Sequence, residues 1–522
     1  MKVVVCDPIH PAGFEILKKA KDIELVDASK TPKDELLKVI EDADGVITRS
    51  PTPVDEKFLS HAKKLKAVVR AGVGVDNVDM EAASKRGVII MNVPTANTLA
   101  AVELTMAHLL TAARSFTNAV WNLKKEREWN REKWLGIELA GKKLGIIGFG
   151  NIGSRVGIRA KALEMDVIAY DPYIDPSKAT DLGCKYTTDF DEILKCDFIT
   201  VHTPKTKETI NMITKKEIEK MKDGVVLINC ARGGLYNEED VAEALKSGKI
   251  AWLGIDVFNK EPLTEHPFFE LENTSVTPHI GANTKESQER IAVQAAQGII
   301  EALRGSSYPN ALNLPINTAN TPEWVIKYLE LSQKMGYILS QVINKSIKKV
   351  KINLSGDISK ENKSVLTFAL VGLLQNITEN VNYVNAEFIA TEKGIVSETK
   401  EIKNDTYKNF VNIKVITDDG EYSISGTMLE DHPRIVEFKD FDLEFEPKGK
   451  MIFFKNTDVP GVIGEVGMTL AKYNINIADF RLGRNKEGQA MAVIIVDNDV
   501  NDEVLEELGN LKAALSVGYA EI

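Results

Sequence analysis

Leu144-Gly145-Ile146-Ile147-Gly148-Phe149-Gly150-Asn151-Ile152-Gly153 decides the architecture of this chain. An apolar run of strand composition leads into GxGxxG, and a helix is predicted to begin near Ser154. In such a turn the first glycine permits the tight bend, the second lets the backbone approach a pyrophosphate, and the third lets helix and strand pack closely. Free N–H groups and the helix dipole then hold the phosphates. A glycine-rich turn can also join strand to helix with no ligand, so the context matters. Ile168-Ala169-Tyr170-Asp171-Pro172 places an acid at the end of the next strand, about 20 residues on, as a dinucleotide site requires. Its carboxylate would bond a ribose 2′-hydroxyl and repel a 2′-phosphate, favouring NAD over NADP. The alternative is that Asp171 only caps the turn before Pro172. Gly148, Gly150, Asn151, Ile152, Gly153 and Asp171 are therefore the expected cofactor-binding residues.

Working outward, short β-branched runs alternate with amphipathic stretches. Upstream, strands are predicted at 3–6, 23–26, 46–48 and 67–69, and helices at 13–20 and 34–41. A long helix over 97–116 and a Trp- and charge-rich stretch to Gly136 lead to a second series, with strands at 144–147, 167–170, 198–201, 225–229 and 252–256. This repeated β-α-β order implies an α/β fold with parallel sheets covered by helices on both faces. A helix over 284–303 stops at Arg304-Gly305 and is expected to return to the first unit. The Asn-, Pro- and Ser-rich segment 306–321 has no periodicity and reads as a linker. Beyond it, helices at 322–344 and 364–384 with strands at 349–355, 412–416 and 422–428 form an α+β unit. From 449, strand 451–455, helix 461–473, strands 477–482 and 491–496, helix 502–509 and strand 516–522 give βαββαβ, the ferredoxin-like order.

At 522 residues the chain should divide into three or four units. Its apolar share of 43% supplies sizeable cores. The longest apolar stretches, such as 68–75, fall far short of the roughly 20 residues a membrane helix needs. The first residues meet Asp7 without a long apolar run, so no secretory leader is expected. Cys6, Cys184, Cys196 and Cys230 show no CxxC spacing, so neither zinc nor a disulfide framework is indicated, in keeping with a reducing cytoplasm. A net charge of −11 disfavours nucleic acid as a partner and means that an anionic substrate needs a local cluster of cations.

Hydride transfer at a 2-hydroxy acid needs a cation for the carboxylate, an acid/base for the hydroxyl proton and a group that tunes the base. A guanidinium forks onto a carboxylate, and imidazole titrates near neutrality, with its pKa raised by a nearby carboxylate. Arg232 in Asn229-Cys230-Ala231-Arg232-Gly233-Gly234, Glu261 and His279 in Thr277-Pro278-His279-Ile280-Gly281 follow successive strands of the second series, where open α/β sheets carry ligands. Singly, Arg and Glu are usually solvated surface charges, and a histidine after Pro is more often a turn residue.

Together, in this order over about residues 1 to 305, these segments resemble the D-isomer-specific 2-hydroxyacid dehydrogenase family. The resemblance implies two Rossmann-like doubly wound domains, a nucleotide domain at 98–280 inserted into a substrate domain of 1–97 plus 281–305. It implies that Arg232 orients the substrate, His279 is the acid/base and Glu261 pairs with it. Thr203, Pro204, Ala231 and Asp256 would line the cofactor cleft. The segment 69–79, Val-Arg-Ala-Gly-Val-Gly-Val-Asp-Asn-Val-Asp, resembles the substrate loop of the branch acting on D-3-phosphoglycerate. Gly72 and Val73 would offer N–H groups to the carboxylate, and Arg49, Arg70 and Arg131 would face the phosphate.

The C-terminal unit, 449–522, resembles an ACT-type regulatory domain. In such domains side chains at the positions of Asn456, Asp458 and Asn476, with the turn at Gly461, bind L-serine across a domain–domain interface, which implies feedback inhibition and a homotetramer. An oligomerisation module is the alternative. The middle unit, 308–445, resembles the intervening domain of long-form members, although Lys439-Asp440-Phe441-Asp442-Leu443-Glu444 puts acids where an anion site needs cations. Two rivals remain: another D-2-hydroxyacid reductase of the glyoxylate or hydroxypyruvate type, and a non-enzymatic NAD-sensing corepressor on the same fold.

Overall fold

The computed structural model describes residues 1–316, 321–343 and 345–522 of the chain. The linker reading falls partly, and the end of the 322–344 helix reading wholly, on residues outside these.

The β-branched runs become strands, those in the middle of each sheet buried on both faces as parallel sheets require. Strands β1 (Lys2–Val5), β2 (Glu24–Asp27), β3 (Gly45–Thr48), β4 (Ala67–Arg70) and β5 (Ile89–Asn92) form a parallel sheet of order 2-1-3-4-5. Strands β6 (Lys143–Ile147), β7 (Asp166–Tyr170), β8 (Lys185–Thr187), β9 (Phe198–Val201), β10 (Val225–Asn229), β11 (Ile250–Ile255) and β12 (Thr274–Val276) form a second parallel sheet, of order 12-11-10-9-6-7-8. The chain runs from β6 to β7 and β8 on one side and then crosses to β9 on the other. The switch point therefore opens a crevice beyond the carboxyl ends of β6 and β9, where ligands bind in such sheets. The sequence reading missed β5, β8 and β12. Two of these are three residues long, and none alternates strongly.

Two long helices tie the sheets together. Helix Thr98–Arg114 packs on the second sheet, with His108 against Gly254 of β11. Helix Lys285–Leu303, capped by Thr284, returns to the first sheet. It lies so close to helix Pro11–Lys19 that a Cβ at Gly13 would stand 2.8 Å from the carbonyl oxygen of Ala292.

A third sheet is formed by β13 (Ile347–Ser355), β14 (Val396–Glu401), β15 (Phe410–Thr417), β16 (Glu421–Leu429), β17 (His432–Phe438) and β18 (Phe441–Phe445), in the order 14-13-15-16-17-18. Helices Glu323–Val342 and Asn362–Leu374 pack together against it, with the close approach resting on Gly336 and Gly372. The helix expected over 364–384 ends ten residues early. Asn380 turns left-handed at φ 64, and Asn385 takes the Asn382 N–H into a side-chain turn before a short helix, Ala386–Glu392. Such side chains compete with helical backbone bonds.

The last unit realises the expected βαββαβ order. Strands β19 (Lys450–Thr457), β20 (Ile477–Arg484), β21 (Gln489–Val496) and β22 (Ala514–Glu521) form an antiparallel sheet of order 20-21-19-22, with helices Val462–Lys472 and Asp502–Gly509 packed against it. Its other face shares a core with the third unit, where the Phe453 and Phe438 rings lie 4.6 Å apart. Gln341 exchanges hydrogen bonds of 3.1 and 3.0 Å with the Glu521 backbone.

Candidate active site

The glycine loop sits at the switch point. Gly148 takes φ 88, and a Cβ there would strike the carbonyl oxygen of His202 at 2.7 Å and Thr203 at 2.9 Å. A Cβ at Gly153 would stand 2.0 Å from the Gly148 carbonyl oxygen, so the third glycine does allow helix and strand to touch. Around Gly150 there is open space. Gly150 is the N-cap of helix Asn151–Ala162, and among the described residues no side chain caps that end, leaving first-turn N–H groups open to phosphates. The helix starts at Asn151, three residues before the predicted start. Asp171 lies beside the loop, accepting the Phe149 N–H at 2.9 Å and the Tyr173 N–H at 3.0 Å. It thus caps its turn, and the same bonds hold it at the mouth of the glycine loop. These features fit a dinucleotide: a cradle that a Cβ would fill, an uncapped helix end and an acid at the ribose position.

A cavity of about 990 Å³ lies between the first two sheets. From the first sheet come Lys33, Arg49, Arg70 and the loop Gly72-Val73-Gly74; from the second come Arg232, Glu261 and His279. His279 follows β12 and Glu261 follows β11, and the two side chains meet at 2.5 Å between Nδ1 and Oε2. Glu261 also accepts the Phe258 N–H at 2.8 Å. Burial pushes its carboxyl up, but these hydrogen bonds and the positive charge of Arg232 outweigh it and hold the group below its ordinary value. Glu261 is therefore ionised at neutral pH and fixes the His279 ring through Nδ1, leaving Nε2 with no partner among the described residues.

The cations converge as the substrate class demands. Burial and the charges of Arg232 and Arg49 bring the Arg70 guanidinium down to about 10, and burial likewise lowers Arg49. Like charges held together in a cleft destabilise the empty site and favour an anion in it. The Arg70 Nε is buried and has no hydrogen-bond partner among the described residues. The substrate loop is shaped around these side chains. Gly72 has φ 155, and a Cβ there would stand 1.7 Å from Arg70 Nη1; a Cβ at Gly74 would stand 2.7 Å from Arg232 Nη2. Asn92 secures the loop by donating to the Val73 carbonyl at 2.7 Å.

Three expected residues, Arg131, Asp256 and Ala231, do not line this cavity. Arg131 sits in an exposed turn outside the residues lining the cavity, next to Lys133, which pairs with Glu272 at 3.1 Å. Asp256 has no exposed surface, and its carboxylate is consumed by Thr277, Ile280 and Gly281, so it holds the His279 loop and does not face open space. Ala231 has its N–H tied to Asn229 at 3.0 Å. Lys33, which lines the same cavity, was missed because it follows Pro32 in a polar stretch with no motif of its own. In the C-terminal unit, Asn456 is buried and Asp458 pairs with Arg484 at 2.9 Å. Asn476, bonded to Asn498 and Asp497, is at the other end of the sheet, since β19 and β20 both enter it beside Val496, which puts Asn456 at the finish of β19 and Asn476 just before the start of β20.

Comparison with known proteins agrees with this geometry. Residues 106–281 match the family "D-isomer specific 2-hydroxyacid dehydrogenase, NAD binding domain", residues 325–439 the "D-3-phosphoglycerate dehydrogenase intervening domain", and residues 450–513 the "ACT domain". The chain is 38% identical to the D-3-phosphoglycerate dehydrogenase of Archaeoglobus fulgidus, covering 100% of each chain. It is 39% identical to that of Methanocaldococcus jannaschii, covering 98% of each. Among solved structures it resembles a D-lactate dehydrogenase of Aquifex aeolicus complexed with NAD and lactic acid, with a TM-score of 0.52, 30% identity, and coverage of 59% of this chain and 96% of that one. With a two-sheet cleft holding an Arg-Glu-His set, followed by intervening and ACT units, the chain belongs to the D-3-phosphoglycerate dehydrogenases, within the D-isomer-specific 2-hydroxyacid dehydrogenase family.

Proposed function

We propose that Arg232, Glu261 and His279 carry the chain's reaction, the NAD-dependent oxidation of D-3-phosphoglycerate to 3-phosphohydroxypyruvate, the first step of serine biosynthesis. The observation that carries this reading is the His279–Glu261 pair at 2.5 Å facing a cluster of arginines whose Arg70 Nε has no partner among the described residues. Arg232 holds the substrate carboxylate with the Gly72 and Val73 N–H groups, and Arg49, Arg70 and Lys33 receive the phosphate. His279 Nε2 takes the C2 hydroxyl proton, and the ionised Glu261 stabilises the imidazolium that results. Gly148, Gly150, Asn151, Ile152, Gly153 and Asp171, with Thr203 and Pro204 alongside, would hold NAD, which would supply the acceptor for the C2 hydride.

The reading extends to regulation and assembly. Within one chain Asn456 and Asn476 are separated by about six strand residues, or about 20 Å, so a serine touching both bridges two copies of this unit. Exposed Phe116, Trp121, Trp129 and Leu135 flank the turn carrying Arg131 and support self-association, with a homotetramer as the proposed state. The four buried free cysteines fit a cytoplasmic location. The domain division follows the sheets: 1–97 with 281–305, 98–280, 308–445 and 449–522.

The test is NADH formation from D-3-phosphoglycerate with and without L-serine, together with the solution mass. Turnover that serine suppresses, by a species of four 57.7 kDa chains, supports the whole reading. Turnover indifferent to serine removes the regulatory part, and no turnover removes the catalytic part.

A further inference from the structure

We infer that His108, a residue outside the cavity, positions the His279 loop through a one-way chain of hydrogen bonds running from Trp252 to Asp256. This rests on the assignment of His279 as the acid/base. His108 lies on helix Thr98–Arg114, is 4% exposed, and packs its ring against Gly254, where a Cβ would stand 3.1 Å from its Cγ. A polar ring in that core needs partners, and it has two. Nδ1 lies 2.8 Å from Ser275 Oγ and Nε2 lies 3.2 Å from Thr277 Oγ1.

The direction of each bond follows from what the end groups can do. The Trp252 indole N–H only donates, and it donates to Ser275 Oγ at 3.2 Å. The Ser275 hydroxyl proton is then free for His108 Nδ1. At the far end the Asp256 carboxylate only accepts, and it accepts the Thr277 hydroxyl at 2.7 Å. Thr277 Oγ1 therefore has a lone pair for an N–H, which His108 supplies from Nε2. Of the two neutral tautomers, the one with its proton on Nε2 completes every link, and burial keeps the ring neutral by bringing it down to about 4.

The chain ends where the reaction needs rigidity. Besides Thr277, the Asp256 carboxylate holds the N–H groups of Ile280 and Gly281, each at 2.8 Å, and its carbonyl accepts the His279 N–H at 2.9 Å. Asp256 thus grips the loop on both sides of His279, whose backbone sits in the left-handed region at φ 52. A side chain other than glycine stays there only when its surroundings impose it. His108 fixes the Thr277 rotamer, Thr277 completes the Asp256 grip, and the grip aims the His279 ring at Glu261 and the substrate. His108 is therefore a positioning residue that touches neither substrate nor cofactor.

The two nitrogens can be tested separately. His108→Gln retains a donor near the place of Nε2, whereas His108→Asn retains an acceptor near the place of Nδ1. With the full-length enzyme, His108→Leu and His108→Asn are expected to lower kcat for D-3-phosphoglycerate by about tenfold. His108→Gln should keep most of the rate, and KM for both substrates should change little in all three. Thr277→Val should lower kcat similarly, and adding His108→Leu to it should cost nothing more. Melting temperatures measured in parallel separate rate from folding. Equal rates for the Gln and Asn variants, rates that track melting temperature across the set, or additive losses in the double variant would each overturn the inference.

Discussion

The cleft between the first two sheets and the C-terminal unit differ in how they assemble a site. In the cleft, residues far apart in sequence converge within one chain: Arg49 and Arg70 from the first sheet, Arg232, Glu261 and His279 from the second. In the C-terminal unit, Asn456 and Asn476 lie only 20 residues apart in sequence, yet helix Val462–Lys472 carries the chain from the finish of β19 back to the start of β20, leaving them at opposite ends of the sheet. Parallel sheets gather every strand's carboxyl end on one edge, so loops accumulate there and one chain suffices for chemistry. In the C-terminal unit the two residues stand at the finish of one strand and the start of another, so the proposed serine site needs a second copy to bring them to a common ligand. Catalysis can therefore be complete within a chain, while regulation of the proposed kind belongs to the assembly.

The largest effect that would break this comparison is at the acid/base. His279→Ala should lower kcat by about 10²–10⁴-fold while NAD binding, read by fluorescence titration, is retained; a loss under tenfold would remove His279 from the role. Next, Arg70→Gln should lower kcat/KM for D-3-phosphoglycerate by about 10–100-fold, from the loss of a charge-assisted contact, and should affect D-glycerate far less. Equal losses for the two substrates would place Arg70 away from the phosphate. Asp171→Ala should raise the KM for NAD by about tenfold and narrow the preference over NADP, measured by initial rates with both cofactors.

A smaller effect concerns stability. The Glu261 carboxyl is held below its ordinary value, so the stabilisation it contributes is complete above the unfolded carboxylate range and is lost as pH falls through the folded value. The difference in melting temperature between wild type and Glu261→Gln should thus be constant near neutrality and shrink in acid; a difference that grows in acid would reverse the assigned sign. The smallest effect on turnover is at Asn476. Asn476→Ala should leave kcat unchanged without serine and abolish serine's effect, and a variant still inhibited like wild type would break the two-copy reading.

The contrast also explains what was legible in the sequence. The GxGxxG strand-turn-helix and Asp171 depend on local backbone requirements that only certain residues meet, so they could be read directly. The Arg232, Glu261 and His279 set was legible because each follows a strand whose end must lie on the same edge. Lys33 and His108 carry no local signal, since their placement depends on which elements pack together. Asp256 was expected at the cofactor, but its carboxylate turns inward to hold the His279 loop. Arg131 reads like the other arginines by type, yet its exposed turn keeps it out of the cavity. The strands β14 and β17, rich in charge or interrupted by Pro433, were missed because sheet pairing overrides weak local preference there.

The most direct test of the central claim is the ratio of kcat/KM for D-3-phosphoglycerate to that for D-glycerate, measured with NAD on the purified wild-type enzyme. The cluster of Arg49, Arg70 and Lys33 predicts a preference for the phosphorylated substrate of at least about 100-fold, the worth of two charge-assisted contacts. Comparable values for the two substrates would contradict it.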